Sequence, residues 1–161
     1  MRQLGARFAA WLREGDVVAL YGSLGAGKTV FVRGVAQGLG VEQPVRSPTF
    51  TLLHIYPGPR LTMYHFDAYR LQSLAEWYAL GTEEVVGNRG VSLIEWAERV
   101  ESALPQDRFN VKVEGVGEAS PRRVQITGEQ RLAQWRVQLQ DDPQARAWLP
   151  GSPDHGFPGH E

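Results

Sequence analysis

The stretch Gly22-Ser23-Leu24-Gly25-Ala26-Gly27-Lys28-Thr29 constrains this chain more than any other. It fills every fixed position of the Walker A pattern G-x-x-x-x-G-K-[ST]. Asp16 to Tyr21, just before it, is a short apolar run of the kind that forms a buried strand. Lys28 to Leu39, just after it, carries Phe31, Val35 and Leu39 on one helical face, and Gly40 follows as a stop. Strand, loop and helix in that order predict an α/β fold in which the loop wraps an anion. Gly22 and Gly27 let the backbone curl without a Cβ in the way. Successive N–H groups then face a concave site, and the helix start adds its positive end. Lys28 supplies charge for the β- and γ-phosphates of a nucleoside triphosphate, and Thr29 a hydroxyl for Mg²⁺. The competing reading is an ordinary glycine-rich turn that matches by chance; the strand before and the helix after argue against it.

At 161 residues the chain suits one globular domain. That domain is expected over residues 1–140. From Asp141 onward Pro143, Pro150, Gly151, Pro153, Gly156, Pro158 and Gly159 crowd a short stretch, read as a disordered Pro/Gly-rich tail over 141–161. His155 and His160 fall in that tail, where a solvated role outweighs a metal role. The absence of cysteine excludes disulfides and Cys-ligated zinc. A net charge of −1 gives no global field for nucleic acid or an anionic membrane. No apolar run approaches the roughly 20 residues of a spanning helix, and Met1-Arg2-Gln3-Leu4 lacks the apolar core of a secretory signal. A soluble cytoplasmic protein is expected, with no membrane partner.

Elsewhere, Leu4, Phe8, Trp11 and Leu12 recur at helical spacing, with Gly15 as a stop. Leu52 to Tyr56 and Leu61 to Phe66 flank Pro57-Gly58-Pro59-Arg60, which predicts an antiparallel hairpin with a four-residue connection. Ser73 to Leu80 predicts a short helix stopped by Gly81, and Val91 to Trp96 another short apolar run. Asn110 to Val116 and Arg122 to Thr127 predict a second hairpin, and Glu129 to Gln140 a closing helix with Leu132, Trp135 and Leu139 inward.

A phosphate loop of this kind needs a carboxylate near the metal, usually at the end of a neighbouring strand. Two candidates stand at such ends. Leu61 to Phe66 runs into Asp67, and Val91 to Ile94 runs into Glu95. One can serve Mg²⁺, directly or through water; the other can orient or deprotonate an attacking water. Residue order does not assign the two roles. The bland readings are a helix N-cap or surface carboxylate for Asp67, and a surface ion pair with Arg99 for Glu95. His65 reads as structural, because a Mg²⁺ site does not favour imidazole. Thr49 and Thr51, with Ser47, sit in a Pro48-containing loop that either reaches the γ-phosphate and metal or forms a capped turn. Trp96 is either core or a nucleotide-stacking ring.

No Asn/Thr-Lys-x-Asp run for guanine is present, and no Asp has Gly three residues on. ATP is therefore the expected nucleotide. Arg122 and Arg123 are the only adjacent basic pair and fall in a predicted hairpin, which leaves little room for the Arg-bearing lid of a small-molecule kinase. A compact ATPase acting on a partner protein is favoured. A stand-alone P-loop kinase and a non-hydrolysing nucleotide sensor are the alternatives.

Taken together, Gly22 to Thr29 with its helix, Ser47-Pro48-Thr49-Phe50-Thr51, His65-Phe66-Asp67-Ala68-Tyr69-Arg70-Leu71 and Leu93-Ile94-Glu95-Trp96 resemble the bacterial TsaE family. Glu76 and Gly81-Thr82-Glu83-Glu84 also fit, and the likeness runs approximately from Leu4 to Val113. The resemblance implies a P-loop NTPase-like mixed sheet flanked by helices, with antiparallel hairpins added. It implies a weak ATPase using ATP and Mg²⁺, stimulated by the partners TsaD and TsaB. TsaD would transfer threonylcarbamoyl to adenosine 37 of tRNAs reading ANN codons, so that tRNA is met only indirectly. Carried onto this chain, the phosphate and metal contacts are Lys28 and Thr29, the switch-like loop holds Thr49 and Thr51, the functional acids are Asp67 and Glu95, and the aromatic after the second is Trp96. The chain departs from the family pattern in a short segment ahead of the first helix and in the tail after Asp141.

Overall fold

The computed structural model describes residues 1–23, 27–114 and 123–128. Leu24, Gly25 and Ala26, the expected closing helix over Glu129 to Gln140, and the tail lie outside the described residues. The elements run α1 (Arg2–Ala9), β1 (Val17–Tyr21), α2 (Lys28–Gly38), β2 (Leu53–Tyr56), β3 (Met63–Asp67), α3 (Leu74–Ala79), α4 (Thr82–Val85), β4 (Val91–Glu95), two 3-10 turns (Ala97–Arg99 and Glu101–Ala103), β5 (Phe109–Glu114) and β6 (Arg123–Thr127). The strands form one six-stranded sheet in the order β2-β3-β4-β1-β5-β6. The four inner strands are mutually parallel, while β2 and β6 close the edges as antiparallel partners of β3 and β5. This is the expected mixed α/β sheet with a hairpin at each edge.

β1 and β4 read as apolar runs because both faces of an inner parallel strand are covered; every residue of β4 is buried. On one face α1 and α2 pack over Val18, Leu20, Leu93 and Val111, with the Phe8 ring edge-on to Phe109 at 5.1 Å. On the other, Trp77 of α3 meets Phe66 at 5.0 Å over Val17, Ala19 and Ile94. α1 and α2 cross with backbones in contact. A Cβ built at Gly34 would lie 2.0 Å from the Arg2 carbonyl oxygen, and one at Gly38 2.3 Å from that of Ala6.

Two boundaries differ from the sequence expectation. α1 ends at Ala9 rather than near Gly15. Trp11 and Leu12 instead continue in tight i→i−3 turns, and the Arg60 guanidinium donates to the carbonyls of Leu12 (2.6 Å) and Ala9 (2.7 Å). Arg60 thus donates to the Leu12 carbonyl and adds a second donor to that of Ala9, which also accepts from the Leu12 N–H. The β2–β3 connection spans residues 57–62 rather than four residues. Leu61 turns into the core there, and the Thr62 carbonyl accepts from the Val91 N–H at 2.9 Å.

Candidate functional site

β1 delivers the chain to the carboxyl edge of the sheet, where open α/β folds bind ligands. Gly22 takes φ 148° there and Gly27 φ 105°, conformations that L side chains rarely adopt. Gly27 is the N-cap of α2, so Lys28 and Thr29 occupy its first turn. The Lys28 side chain is only 5% exposed. Its Nζ donates to the Gly22 carbonyl and lies 3.6 Å from the centre of the Trp96 ring. Among the described residues it makes no ion pair. Burial lowers its pKa, and the charges of Glu95, Glu98 and Asp67 work against that shift. A buried ammonium held by one carbonyl and a ring face keeps donor capacity for an anion.

β4 lies directly beside β1, with Glu95 opposite Leu20. β3 lies beside β4, with Asp67 opposite Glu95. The two acids therefore share one face and one end of adjacent strands. Both are buried, and neither takes its bland role. Glu95 accepts from the Thr29 hydroxyl (3.0 Å) through Oε1 and faces His65 Nε2 (2.6 Å) through Oε2. Arg99 instead lies over the Tyr69 ring. Asp67 accepts from the Tyr69 N–H (2.9 Å), the Thr49 hydroxyl (3.2 Å) and the Ser47 hydroxyl (3.4 Å). The two hydroxyls bring the 45–52 loop onto the end of β3. Leu52, at φ 66°, turns the chain from that loop into β2, and its carbonyl accepts from the Asp67 N–H at 3.0 Å.

The arrangement joins Lys28, Thr29, Glu95 and Trp96 on one side and Thr49 and Asp67 on the other. Ser23 and Thr51 are exposed. Trp96 is neither a core ring nor free. It leaves β4 at φ 57° and packs against Tyr69 at 4.9 Å, tilted by 46°. His65, read from the sequence as structural, meets Glu95 at the site. Period-two alternation held the signal for His65: two residues before Asp67 on a strand, it must share the face of the acids. Glu76 is structural: its N–H donates to the Ser73 hydroxyl that caps α3 (3.3 Å), and its carboxylate accepts from the Gln72 N–H ahead of the helix (3.1 Å). So is Thr82, whose hydroxyl donates to the Trp77 carbonyl at 3.1 Å.

The profile of the family described as threonylcarbamoyl adenosine biosynthesis protein TsaE matches residues 1–124. The chain belongs to the TsaE family. Proteins named tRNA threonylcarbamoyladenosine biosynthesis protein TsaE are similar to this chain. The one from Treponema pallidum is 56% identical over 95 residues, 59% of this chain and 70% of the relative. That of Bacillus subtilis is 44% identical over 110 residues, 68% of each. That of Streptomyces coelicolor is 41% identical over 136 residues, 80% of this chain and 90% of the relative. The crystal structure of Bacillus subtilis YdiB superposes with a TM-score of 0.72 at 34% identity, covering 86% of both chains. This TsaE-family chain thus has a P-loop NTPase-like α/β fold and belongs to threonylcarbamoyladenosine biosynthesis. Among its described residues no helix is long and apolar enough to cross a membrane.

Proposed function

We propose that this chain is the ATP-binding and hydrolysing subunit of the tRNA threonylcarbamoylation machinery, acting on a TsaB–TsaD transferase complex in the cytoplasm. The observation that carries the reading is the bond from the Thr29 hydroxyl to Glu95 at 3.0 Å, beside the buried Lys28 ammonium. Threonine, lysine and carboxylate are the parts a Mg²⁺–triphosphate requires, and they meet where β1 enters α2.

The fit is specific in its donors. Lys28 can turn from the Gly22 carbonyl and the Trp96 ring to phosphate oxygens, and the first-turn N–H groups of α2 face the same anion. The Thr29 oxygen keeps a lone pair for a cation while its proton rests on Glu95. Among the described residues no three His, Asp or Glu side chains form a closed metal cage. That suits Mg²⁺, which keeps several waters and takes one or two protein oxygens. When bound, Mg²⁺ would neutralise charge on the phosphates.

The acids then divide their work. Glu95, joined to Thr29, serves the metal side. Asp67, joined to Thr49 and Ser47, is proposed to orient the water that attacks the γ-phosphate and to couple the 45–52 loop to that step. Thr51 is exposed in the same loop and is proposed to move inward with it. The net charge of −1 supports tRNA contact through the partners rather than through this chain.

The test is reconstitution. ATP turnover and modified adenosine are measured for the chain alone and with TsaB and TsaD. Slow turnover alone that rises with both partners is expected. No association and no stimulation would sink the reading, and phosphorylation of a small-molecule acceptor would favour a kinase instead.

A further inference from the structure

His65 is fully buried in the middle of β3, opposite Leu93 on the face covered by α1 and α2. A leucine would fill such a place, so an imidazole there needs a reason beyond packing. Its Nε2 lies 2.6 Å from Oε2 of Glu95. Its Nδ1 has no hydrogen-bond partner among the described residues. An ionised carboxylate only accepts, so Nε2 must carry the hydrogen. Nε2–H is thus the donor of this bond and Glu95 Oε2 its acceptor.

We propose that His65 is the positioning residue for Glu95: its Nε2–H grips one carboxylate oxygen and thereby keeps the other on the Thr29 hydroxyl. The terminal torsion of a glutamate is broad and two-fold, so one hydrogen bond leaves the carboxylate plane free to turn. Two bonds, one to each oxygen, fix it. Orientation of a metal-side ligand by a buried partner is worth about 10–100-fold in metal affinity in comparable sites. The inference rests on the reading above that Glu95 and Thr29 serve the metal side, and it assigns the residue that holds that side in place.

Two measurements on the full chain test it. In nucleotide-free protein with ¹⁵N-labelled histidine, Nε2 of His65 should carry a hydrogen. Its Nε2–H resonance should move in Glu95→Gln. A ring whose Nε2 carries no hydrogen, or a resonance indifferent to Glu95→Gln, overturns the proposal. The second measurement titrates Mg²⁺ at fixed ADP by calorimetry. His65→Leu should raise the Mg²⁺ half-saturation by about tenfold or more, while ADP affinity in EDTA stays within about twofold of wild type. His65→Gln retains an N–H near the Nε2 position and should restore most of the loss. Equal losses in the leucine and glutamine variants would mean packing alone, and no loss in either would remove the role altogether. Should His65→Leu fail to fold, the spectroscopic result decides. Should wild-type protein bind ADP without regard to Mg²⁺, the functional reading fails while the His65–Glu95 bond is still judged by its resonance.

Discussion

The ammonium of Lys28 lies 3.6 Å above the centre of the Trp96 ring, so a phosphate-loop lysine is held by the residue that follows the β4 acid. Trp96 reaches that position only by leaving the strand at φ 57°, a conformation that costs a bulky residue about 1–3 kcal/mol. Tyr69, packed against the indole at 4.9 Å, helps to hold it there. Drawing Lys28 toward phosphate would uncover the ring. Addition of Mg²⁺ and ADP should therefore change tryptophan fluorescence, and Trp96→Phe should abolish the change although the remaining tryptophans are present. An equal change in that variant would show that the signal comes from elsewhere.

The pH dependence of Lys28 has opposite signs for stability and for binding. Burial lowers its pKa from the ordinary 10.5, so the unfolded chain holds this proton to higher pH than the folded one. Between the lowered value and 10.5 the unfolded state binds more protons, and rising pH through that window relieves the penalty of burying the charge. Binding of a triphosphate needs the ammonium and should weaken over the same rise. Lys28→Met should lose both trends and weaken nucleotide binding by about 1.5–3 kcal/mol, or about ten- to hundredfold in Kd. Melting curves and calorimetry across the alkaline range supply the check. A wild-type affinity that holds flat to pH 10.5 would contradict it.

Asp67 gathers Thr49, Ser47 and the Tyr69 N–H on one carboxylate. In Asp67→Asn the amide still presents an oxygen to the Tyr69 N–H but turns a donor toward the two hydroxyls. Partner-stimulated ATP turnover should fall by about 10²-fold or more, the lower end for loss of a group that handles a proton. Nucleotide affinity, set by Lys28 and the loop, should stay within about threefold. Loss of affinity with unchanged turnover would reverse the roles assigned to Asp67 and Glu95.

Gly34→Ala should destabilise the fold although alanine is the better helix former. The new methyl would stand 2.0 Å from the Arg2 carbonyl oxygen, an atom fixed in the backbone of α1. Forced separation of the helices should cost about 1–3 kcal/mol against about 1 kcal/mol of helix propensity regained. A melting temperature at or above wild type would refute the close crossing.

Arg60→Met should loosen the end of α1. It removes two donations, to Leu12 at 2.6 Å and Ala9 at 2.7 Å, while keeping an apolar stem. Arg60 is exposed, and a typical hydrogen bond contributes about 0.5–1.5 kcal/mol net, so a loss of about 2 kcal/mol is expected for the two. Amide exchange confined to residues 10–12 would rise first.

Much of this was legible in residue order because it depends on neighbours in sequence. Gly22, Gly27, Lys28 and Thr29 form one turn and one helix start, and short-range geometry suffices to place them. The alternation that buries β1 and β4 is local too, so Asp67 and Glu95 could be recognised as strand ends. Which partner each acid meets was not legible. It follows from the order β3-β4-β1, which sets Glu95 beside the strand that feeds the loop and Asp67 one strand further out, under Thr49. Strand order is a long-range choice made by helices packing on both faces, and no local pattern encodes it. The same reason hid His65 and Arg60: each acts on a partner tens of residues away, at 30 and 48 positions' remove. By itself the sequence determined the glycine-rich loop motif and the family, since both reside in contiguous motifs. The tertiary structure alone decided which acid meets Thr29, what holds that acid, and that Trp96 covers Lys28, because those contacts exist only once distant strands lie side by side.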